Sequence, residues 1–272
     1  MKRAFPFHDE LDMVFGEWSQ LGEYLLWFIS LLSGILFCKL VYTMSKVVSP
    51  IVFPAYNKIL DKDKFEWHNR LMFSTGHAIL ASIFSAYLLY ISDIFYDNAP
   101  YGPVVFRSTL FSHFGLGFSC GYFIADMVML LLFYPHLGGY EYVIHHLMSV
   151  VSLALAIQCG HGHIYLYIVL LSECTTPFVN LRWFLMMTKQ KSTKLYLFNG
   201  VALTMLWLLA RVLLFVYYFI HMYFHYDQVR QVHDIGYYFL VSAPVVLGFM
   251  NLMWFFKILQ ALNRTLKRKQ AP

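Results

Sequence analysis

Residues 195–224 read LYLFNGVALTMLWLLARVLLFVYYFIHMYF, a stretch in which Arg211 is the only Asp, Glu, Lys or Arg. An α-helix needs about 20 consecutive, mostly apolar residues to cross the hydrocarbon core of a bilayer. This stretch is long enough to do so, and it places the charge of Arg211 near the middle of the membrane. It therefore predicts a membrane-spanning helix with one buried cation.

The rest of the chain has a similar composition. Of its 272 residues, 59% are apolar and only 13% are charged, and the mean hydropathy is +0.57. Soluble domains carry roughly 25% charged residues, and a soluble fold of this composition would expose large apolar patches that drive association. These values exclude a soluble enzyme, a secreted disulfide-stabilised domain and a disordered regulator. They predict an all-α polytopic membrane protein.

Six further stretches have the length and composition of a membrane-spanning helix. With the first, they predict spans at 22–44, 71–92, 114–133, 143–159, 162–187, 195–224 and 235–262. Gly160 and Gly162 predict a turn between the fourth and fifth spans, because one fused helix would be too long to cross a membrane once. The segment 47–56 is apolar but short and contains Pro50 and Pro54, which favours an interfacial segment over a span.

Lys and Arg are distributed unevenly over the two ends of these seven spans. One side holds fourteen of them, whereas the other side holds four, among them Arg107 and Arg230. Cytosolic loops of membrane proteins are enriched in Lys and Arg. We therefore expect a lumenal amino terminus and a cytosolic carboxy terminus.

Several polar residues fall inside the predicted spans, where ionisable groups are costly and tend to mark a cavity or a function. At 1.5 Å of rise per residue, most of them lie in one layer that opens toward the cytosolic side: His77, Asp126, His145, His146, Glu173, Thr176, Asn180, Arg211 and Asn251. An alternative is that they only join helices. In that case Asp126 could pair with Arg211, and His77 could bond a backbone carbonyl.

The adjacent histidines His145 and His146 differ from the other polar residues. Neighbouring residues on a helix point about 100° apart, so one ring can face a cavity while a partner anchors the other. A neutral imidazole can act as a general base or as an acyl-accepting nucleophile. A carboxylate such as Asp126 or Glu173 can orient that ring. The pair therefore favours catalysis in the membrane.

A second set of side chains with metal-ligating chemistry lies toward the predicted lumenal side: Cys159, His161, His163, His221, His225 and His233. His221 and His225 have the i, i+4 spacing that places two imidazoles on one helix face, which suits zinc or iron. The chain has neither an HExxH motif nor paired HxxHH boxes. We therefore predict interfacial histidines and no metal site.

Six short motifs occur in the order typical of the TLC-domain family: WHNR at 67–70, STGHA at 74–78, GYFIAD at 121–126, YVIHH at 142–146, ECTTPFVNLRW at 173–183 and NLMWFFK at 251–257. The chain resembles this family, which includes translocating-chain-associated protein, ceramide synthases and a neuronal lipofuscinosis protein. It is most similar to the small TLC domain-containing transmembrane proteins. The resemblance divides the chain into 1–59, with the first span and the interfacial segment, a TLC domain at 60–263 and a basic tail at 264–272.

The resemblance implies a barrel of six helices around a lipid cavity, preceded by one extra helix, in the endoplasmic reticulum or a related membrane. In ceramide synthases the paired histidines transfer an acyl group from acyl-coenzyme A to a long-chain base. Carried over, that role falls on His145 and His146. Together with the polar layer, the predicted catalytic set is His145, His146, Asp126 and Glu173, and the predicted substrate-binding set is His77, Thr176, Asn180, Trp183, Arg211 and Asn251. Ser172-Glu173 and Thr176 stand where the synthases have His-Asp and a second Asp, so ceramide synthesis itself is not expected.

Two functions remain open from the sequence. One is an acyltransferase of lipid homeostasis that takes acyl-coenzyme A as a co-substrate, with Lys189 and Lys191 attracting its phosphates. The other is a non-enzymatic lipid sensor, carrier or regulator of membrane composition that uses the same cavity. Both predict membrane lipids as ligands, namely acyl chains or a long-chain base, with no bound cofactor and no nucleic acid. A homodimer remains open.

Overall fold

The computed structural model describes residues 20–270, so the expected lumenal residues 1–19 and the last two residues of the tail lie outside the described part. Within residues 20–270 the regular secondary structure is entirely helical. Seven of these helices are long and apolar enough to cross a membrane. The prediction of an all-α, multi-pass membrane protein is thus confirmed.

The seven long helices are α1 (Gln20–Val52), α2 (Asp61–Ile91), α3 (Leu110–Leu132), α4 (Tyr140–Cys159), α5 (His163–Met187), α6 (Lys194–Phe224) and α7 (Asp234–Gln270). Short helical turns lie between them at Tyr56–Lys58, Val104–Phe106 and Tyr226–Val229. Three of the long helices change their winding within the membrane. The segments Asn69–Ser74 of α2 and Leu208–Leu213 of α6 are π-helical, and Ser172–Thr175 of α5 is 3₁₀-helical.

Helix α1 continues to Val52 and so includes the first part of the segment 47–56, whose interfacial position stays a prediction. Pro50 lies in its last turn, where the missing N–H removes one backbone hydrogen bond, and the helix ends two residues later. Two buried hydroxyls hold these turns against α2. Ser45 Oγ lies 2.9 Å from Nδ1 of His68, and Ser49 Oγ accepts a hydrogen bond of 3.0 Å from the Trp67 indole.

The turn between α4 and α5 lies where the sequence predicts it. Gly160 and Gly162 have φ angles of +68° and +74°, a left-handed conformation that side chains other than glycine rarely adopt. The N–H of Gly162 also donates to the carbonyl of Val105 over 2.7 Å, which attaches the turn to the loop before α3. The turn at these two glycines therefore separates α4 and α5 into two spans.

Contacts between helices close a ring of six in the order α2, α3, α4, α7, α6, α5 and back to α2. Helix α1 lies outside this ring and packs along α3. Glycines allow that close approach. A Cβ at Gly121 would collide with the carbonyl oxygen of Leu31, and one at Gly34 would collide with that of Phe118. The ring therefore surrounds the interior of the protein, and α1 is an addition to it.

The two ends of the ring differ in chemistry. We call one end the basic face: it contains the loops 53–60, 133–139 and 188–193 and the last turns of α7, with most of the Lys and Arg residues. We call the other end the histidine face, with the loops 92–109, 160–162 and 225–233.

Candidate functional site

The ring of six helices encloses a polar cavity of about 500 Å³, which we call the vestibule. Its volume falls within the usual range of small-molecule sites, about 300–1,000 Å³. Its wall includes Asp126, His145, His146, Glu173 and Arg211, and it extends to Arg182 and Lys257 near the basic face. Seven of the nine residues of the polar layer predicted from the sequence thus line one cavity, and His77 and Asn251 do not.

A second, apolar space continues from the vestibule toward the histidine face, and we call it the channel. Leu153, Leu166, Phe215, Leu240 and Leu247 contribute to its wall. Four residues line both spaces: Phe123, His145, Glu173 and Arg211. The vestibule and the channel therefore lie next to each other on the two sides of this layer, one with many polar groups in its wall and the other mostly apolar.

His146 is held by hydrogen bonds at both ring nitrogens. Its Nδ1 lies 2.8 Å from the carbonyl oxygen of Tyr142, and its Nε2 lies 2.8 Å from Oδ2 of Asp126. A carbonyl only accepts, so Nδ1 carries a proton, and a second proton lies between Nε2 and the carboxylate. The pair is then neutral as a whole. Because neither ring nitrogen has a free lone pair, His146 is not available as a nucleophile.

Asp126 is fixed from two further helical positions. The side-chain amide of Asn69, in the π-helical part of α2, donates to its Oδ1 over 2.7 Å. The hydroxyl of Tyr122 donates to its Oδ2 over 3.3 Å. The carboxylate thus accepts three hydrogen bonds, and it orients His146 as the sequence analysis expects of Asp126 or Glu173.

His145 lies one residue earlier on α4 and faces the junction of the vestibule and the channel. Its ring centre is 5.5 Å from that of His146 and 5.8 Å from that of Trp254. Among the described residues, no group forms a hydrogen bond with its Nδ1. Of the two adjacent histidines, His145 is therefore the one whose ring lines both spaces, although its Nδ1 atom is itself buried.

Glu173 pairs with Arg211 instead of with a histidine. Arg211 donates from Nη2 to Oε1 of Glu173 over 3.0 Å and from Nε to the Thr175 hydroxyl over 2.7 Å. The hydroxyl of Thr176 donates to the other carboxylate oxygen over 2.7 Å. Both side chains of the ion pair are nearly buried. The suggested Asp126–Arg211 pair does not form in the structure, because each of the two has a different partner of opposite charge.

The changes in helical winding coincide with this site. Asn69 lies in the π-helical segment of α2, Glu173 in the 3₁₀ segment of α5, and Arg211 in the π-helical segment of α6. Short π and 3₁₀ segments inside α-helices rotate side chains relative to a regular helix and occur often at functional sites. Here they bring groups from three helices into one layer.

The other expected ligand contacts divide into two groups. Thr176 and Asn180 line the vestibule, and Asn251 lines the channel. His77 and Trp183 line neither space, and their role in binding stays a prediction. His77 is completely buried and stacked on Tyr122, with ring centres 3.6 Å apart.

Trp183 packs against other aromatic side chains and a guanidinium group near the basic face. Its ring centre is 6.4 Å from that of Trp67, and the guanidinium carbon of Arg70 lies 5.4 Å from its ring. Trp183 follows Asn180 by three residues and so lies roughly 60° from it around the helix axis, where these aromatic contacts hold it outside both spaces.

Sequence analysis missed several residues of the vestibule wall, namely Arg70, Arg182, Trp207, Trp254 and Lys257. The two tryptophans looked like ordinary apolar residues of a span, and the three cations looked like loop or interface residues. A sequence signal existed for four of these wall residues, because the motifs WHNR, ECTTPFVNLRW and NLMWFFK contain Arg70, Arg182, Trp254 and Lys257. Trp207 lies outside these motifs and had no such signal.

Comparison with known proteins agrees with this architecture. The family model described as the TLC domain matches residues 66–260. TLC domain-containing protein 4 of Homo sapiens is 28% identical over 246 residues, which cover 88% of this chain and 90% of that protein. TLC domain-containing protein 4 A of Dictyostelium discoideum is 25% identical over 75% of this chain and 77% of its own length. TLC domain-containing protein 1 of Gallus gallus is 27% identical over 72% of this chain and 74% of its own length.

Removing the charge of Arg211 should strongly destabilise the protein, because Glu173 would remain buried without its cation. We expect Arg211→Met to lower the free energy of unfolding by about 3–5 kcal/mol. The double variant Arg211→Met/Glu173→Gln should recover most of that loss, since it removes both charges. Thermal or denaturant unfolding in detergent measures both effects.

The matched control is Arg230→Met on the histidine face. Arg230 pairs with Asp227 over 3.2 Å, but both side chains are largely exposed, and exposed pairs contribute roughly 0–1 kcal/mol. Equal stability of Arg211→Met and Arg230→Met would show that the Glu173–Arg211 pair is not needed for the fold.

Proposed function

Because this chain belongs to the TLC-domain family, whose members have lipid-related functions in membranes, we propose that its cavity binds an amphiphilic acyl lipid. One observation carries the proposal: a polar vestibule and an apolar channel meet at a single layer of residues. An acyl chain would fill the channel, and the polar part of the lipid would contact the hydrogen-bonding groups of the vestibule. The role in the cell would be lipid homeostasis.

A bulky side chain inside the channel should displace the lipid. Ala243 lines the channel and is buried, whereas Val245 lies on the same helix with 56% of its surface exposed. We expect Ala243→Phe to lower the acyl lipid that copurifies with the protein several-fold, and Val245→Phe to leave it unchanged. Solvent extraction and mass spectrometry give the amount of lipid per protein. Equal lipid in the two variants would rule out the channel as the binding site.

His145 favours a second function, the transfer of an acyl group. Its imidazole lies at the junction, beside the position that the carbonyl end of a chain in the channel would occupy. Attack by the free ring nitrogen on an acyl thioester forms a C–N bond and breaks the C–S bond. The leaving thiolate takes the proton that the ring loses. An amine or hydroxyl of an acceptor lipid then takes the acyl group and returns a proton to the ring.

The neighbouring groups would support this reaction without taking part in bond formation. The His146–Asp126 pair uses both nitrogens of His146, so it would position His145 and set the local field. Arg182 and Lys257 line the vestibule near the basic face and would attract the phosphates of acyl-coenzyme A as the co-substrate. Lys189 and Lys191 lie in the loop 188–193 on the same face and would add to that attraction.

Incubation with a long-chain acyl-coenzyme A should therefore acylate His145. Intact-mass spectrometry should show an adduct of acyl size in the wild type, and hydroxylamine should remove it. His145→Ala should lack the adduct, whereas His136→Ala should retain it, because His136 is an exposed histidine in a loop of the basic face. An adduct that persists in His145→Ala would exclude His145 as the acyl acceptor. An unmodified wild type that still releases lipid on extraction would favour a non-enzymatic sensor or carrier.

The charge distribution supports a location and an orientation. The excess of Lys and Arg on the basic face corresponds to a cytosolic face, and the endoplasmic reticulum is the membrane in which we expect the protein. The amino terminus would then be lumenal. A protease added to sealed microsomes should digest an epitope at the carboxy terminus and spare one at the amino terminus until detergent is added. The reverse pattern would overturn the orientation.

A further inference from the structure

Three potential metal ligands converge on the histidine face, at the end of the protein away from the vestibule. Asp97 from the loop 92–109 meets His221 and His225, which lie one turn apart at the end of α6. Oδ1 of Asp97 is 3.1 Å from Nε2 of His225 and 3.8 Å from Nε2 of His221. One ligand atom from each residue lies within 4.8 Å of the other two.

The hydrogen bonds behind these rings determine which nitrogen faces the carboxylate. Nδ1 of His225 lies 2.9 Å from the carbonyl oxygen of His221, so it must donate a proton there. Nε2 of the neutral ring then presents a lone pair to the carboxylate of Asp97. Either a proton on Nε2, as in the His146–Asp126 pair, or a metal ion would remove the repulsion between this lone pair and the carboxylate. Histidine ligands of metals are usually held in this way, with the other ring nitrogen bonded to a carbonyl or another acceptor.

His221 has a similar arrangement. Its Nδ1 is 3.2 Å from the hydroxyl of Tyr165, a side chain that is completely buried. Its ring is stacked on that of His225 with centres 4.2 Å apart. Protonating both stacked rings would bring two positive charges together, whereas one shared metal ion would satisfy both Nε2 atoms. Two protons on the stacked rings are therefore unfavourable, and a metal ion shared by both Nε2 atoms requires the two ring planes, which are 17° apart, to turn toward the ion.

The loop that carries Asp97 is organised before any metal binds. Arg107 is buried, and its guanidinium donates to the carbonyls of Ile94 over 2.9 Å, Tyr96 over 2.7 Å and Ala99 over 3.2 Å. These carbonyls flank Asp97 on both sides. The carboxylate is thus presented to α6 by a fixed backbone, which lowers the entropy cost of forming a site.

We propose that Asp97, His221 and His225 form a binding site for a divalent transition-metal ion of the zinc class. Two imidazoles and one carboxylate are ligands that suit Zn²⁺. Tetrahedral ligands at about 2.1 Å from the ion would be about 3.4 Å from one another. The two distances from Asp97 bracket that value, so small side-chain movements would complete the site.

The proposed ion would attach the loop 92–109 to the end of α6. Asp97 is 57% exposed at its side chain, whereas the His221 side chain is 7% exposed. The fourth position of a tetrahedral ion would thus face the solvent and hold a water molecule. Tyr165 connects the site to the interior, because it bonds His221 and also lines the channel.

The test uses the full-length protein in detergent, freed of metal with a chelator and titrated with Zn²⁺. We expect one Zn²⁺ per chain, and a higher midpoint of thermal unfolding when Zn²⁺ is present. Asp97→Asn and His225→Gln should each weaken the affinity roughly tenfold or more. His233→Gln is the matched control, an exposed histidine on the same face that should bind Zn²⁺ like the wild type.

Asp97→Asn keeps the test interpretable, because this exposed side chain is not part of the packed interior. Co²⁺ in place of Zn²⁺ should give visible absorption bands in the wild type that are lost in this variant. Equal Zn²⁺ affinity of the wild type, Asp97→Asn and His225→Gln would overturn the proposal. A wild type that binds no Zn²⁺ would also overturn it. If that wild type loses stability between pH 5 and 8 and Asp97→Asn does not, the three residues form a proton-linked ion pair instead.

Discussion

Two pairs of buried ionisable residues inside the ring are the constraint on which its construction depends. Asp126 of α3 has His146 of α4 as its partner, and Glu173 of α5 has Arg211 of α6. A charge left without a partner in hydrocarbon costs several kcal/mol, so these two pairs fix which helices are neighbours. The remaining neighbours are joined in the same layer: α2 and α3 by Asn69 and Asp126, α2 and α5 by Arg70 and Asn180, α6 and α7 by Trp207 and Asn251, and α4 and α7 by Tyr142 and Trp254.

This closed layer of contacts means that the structural and the functional interpretations of the polar residues do not exclude each other. Most polar groups of the layer join helices, as in many helix bundles, and their outer surface still lines the vestibule. His145 is different, because its Nδ1 has no hydrogen-bond partner among the described residues and its ring faces the cavity. The layer thus holds the groups around one imidazole by hydrogen bonds and leaves the buried Nδ1 of that imidazole without a partner among the described residues.

The sequence predicted the spans, the turn at Gly160 and Gly162 and the depth of the polar layer, because these depend on local composition and on the fixed rise of a helix. It did not predict which partners pair. In regular α-helices, Arg211 and Glu173 would point in different directions around their helix axes, because the π and 3₁₀ segments change the rotation per residue. Such segments have no clear sequence signal. His77 lies at the right depth but behind Tyr122, since the rotation of α2 is set by packing in the ring.

The same limit explains why Asp97 was not associated with His221 and His225. The i, i+4 pair was visible in the sequence, but its third partner comes from a loop more than 100 residues earlier. Arg107 shapes that loop by donating hydrogen bonds to backbone carbonyls. Because every residue has a backbone carbonyl, these contacts cannot be predicted from residue types.

The contrast between the two connected spaces restricts what the cavity can hold. A purely apolar molecule in the vestibule would remove water from the Glu173–Arg211 and His146–Asp126 pairs without replacing its hydrogen bonds, which is unfavourable. A purely polar molecule in the channel would lose its own hydrogen bonds against Leu153, Leu240 and Leu247. Only a molecule with one polar end and one apolar chain satisfies both walls at once. The junction layer around His145 then meets the bond where the polar part and the chain join, which in an acyl lipid is the carbonyl group.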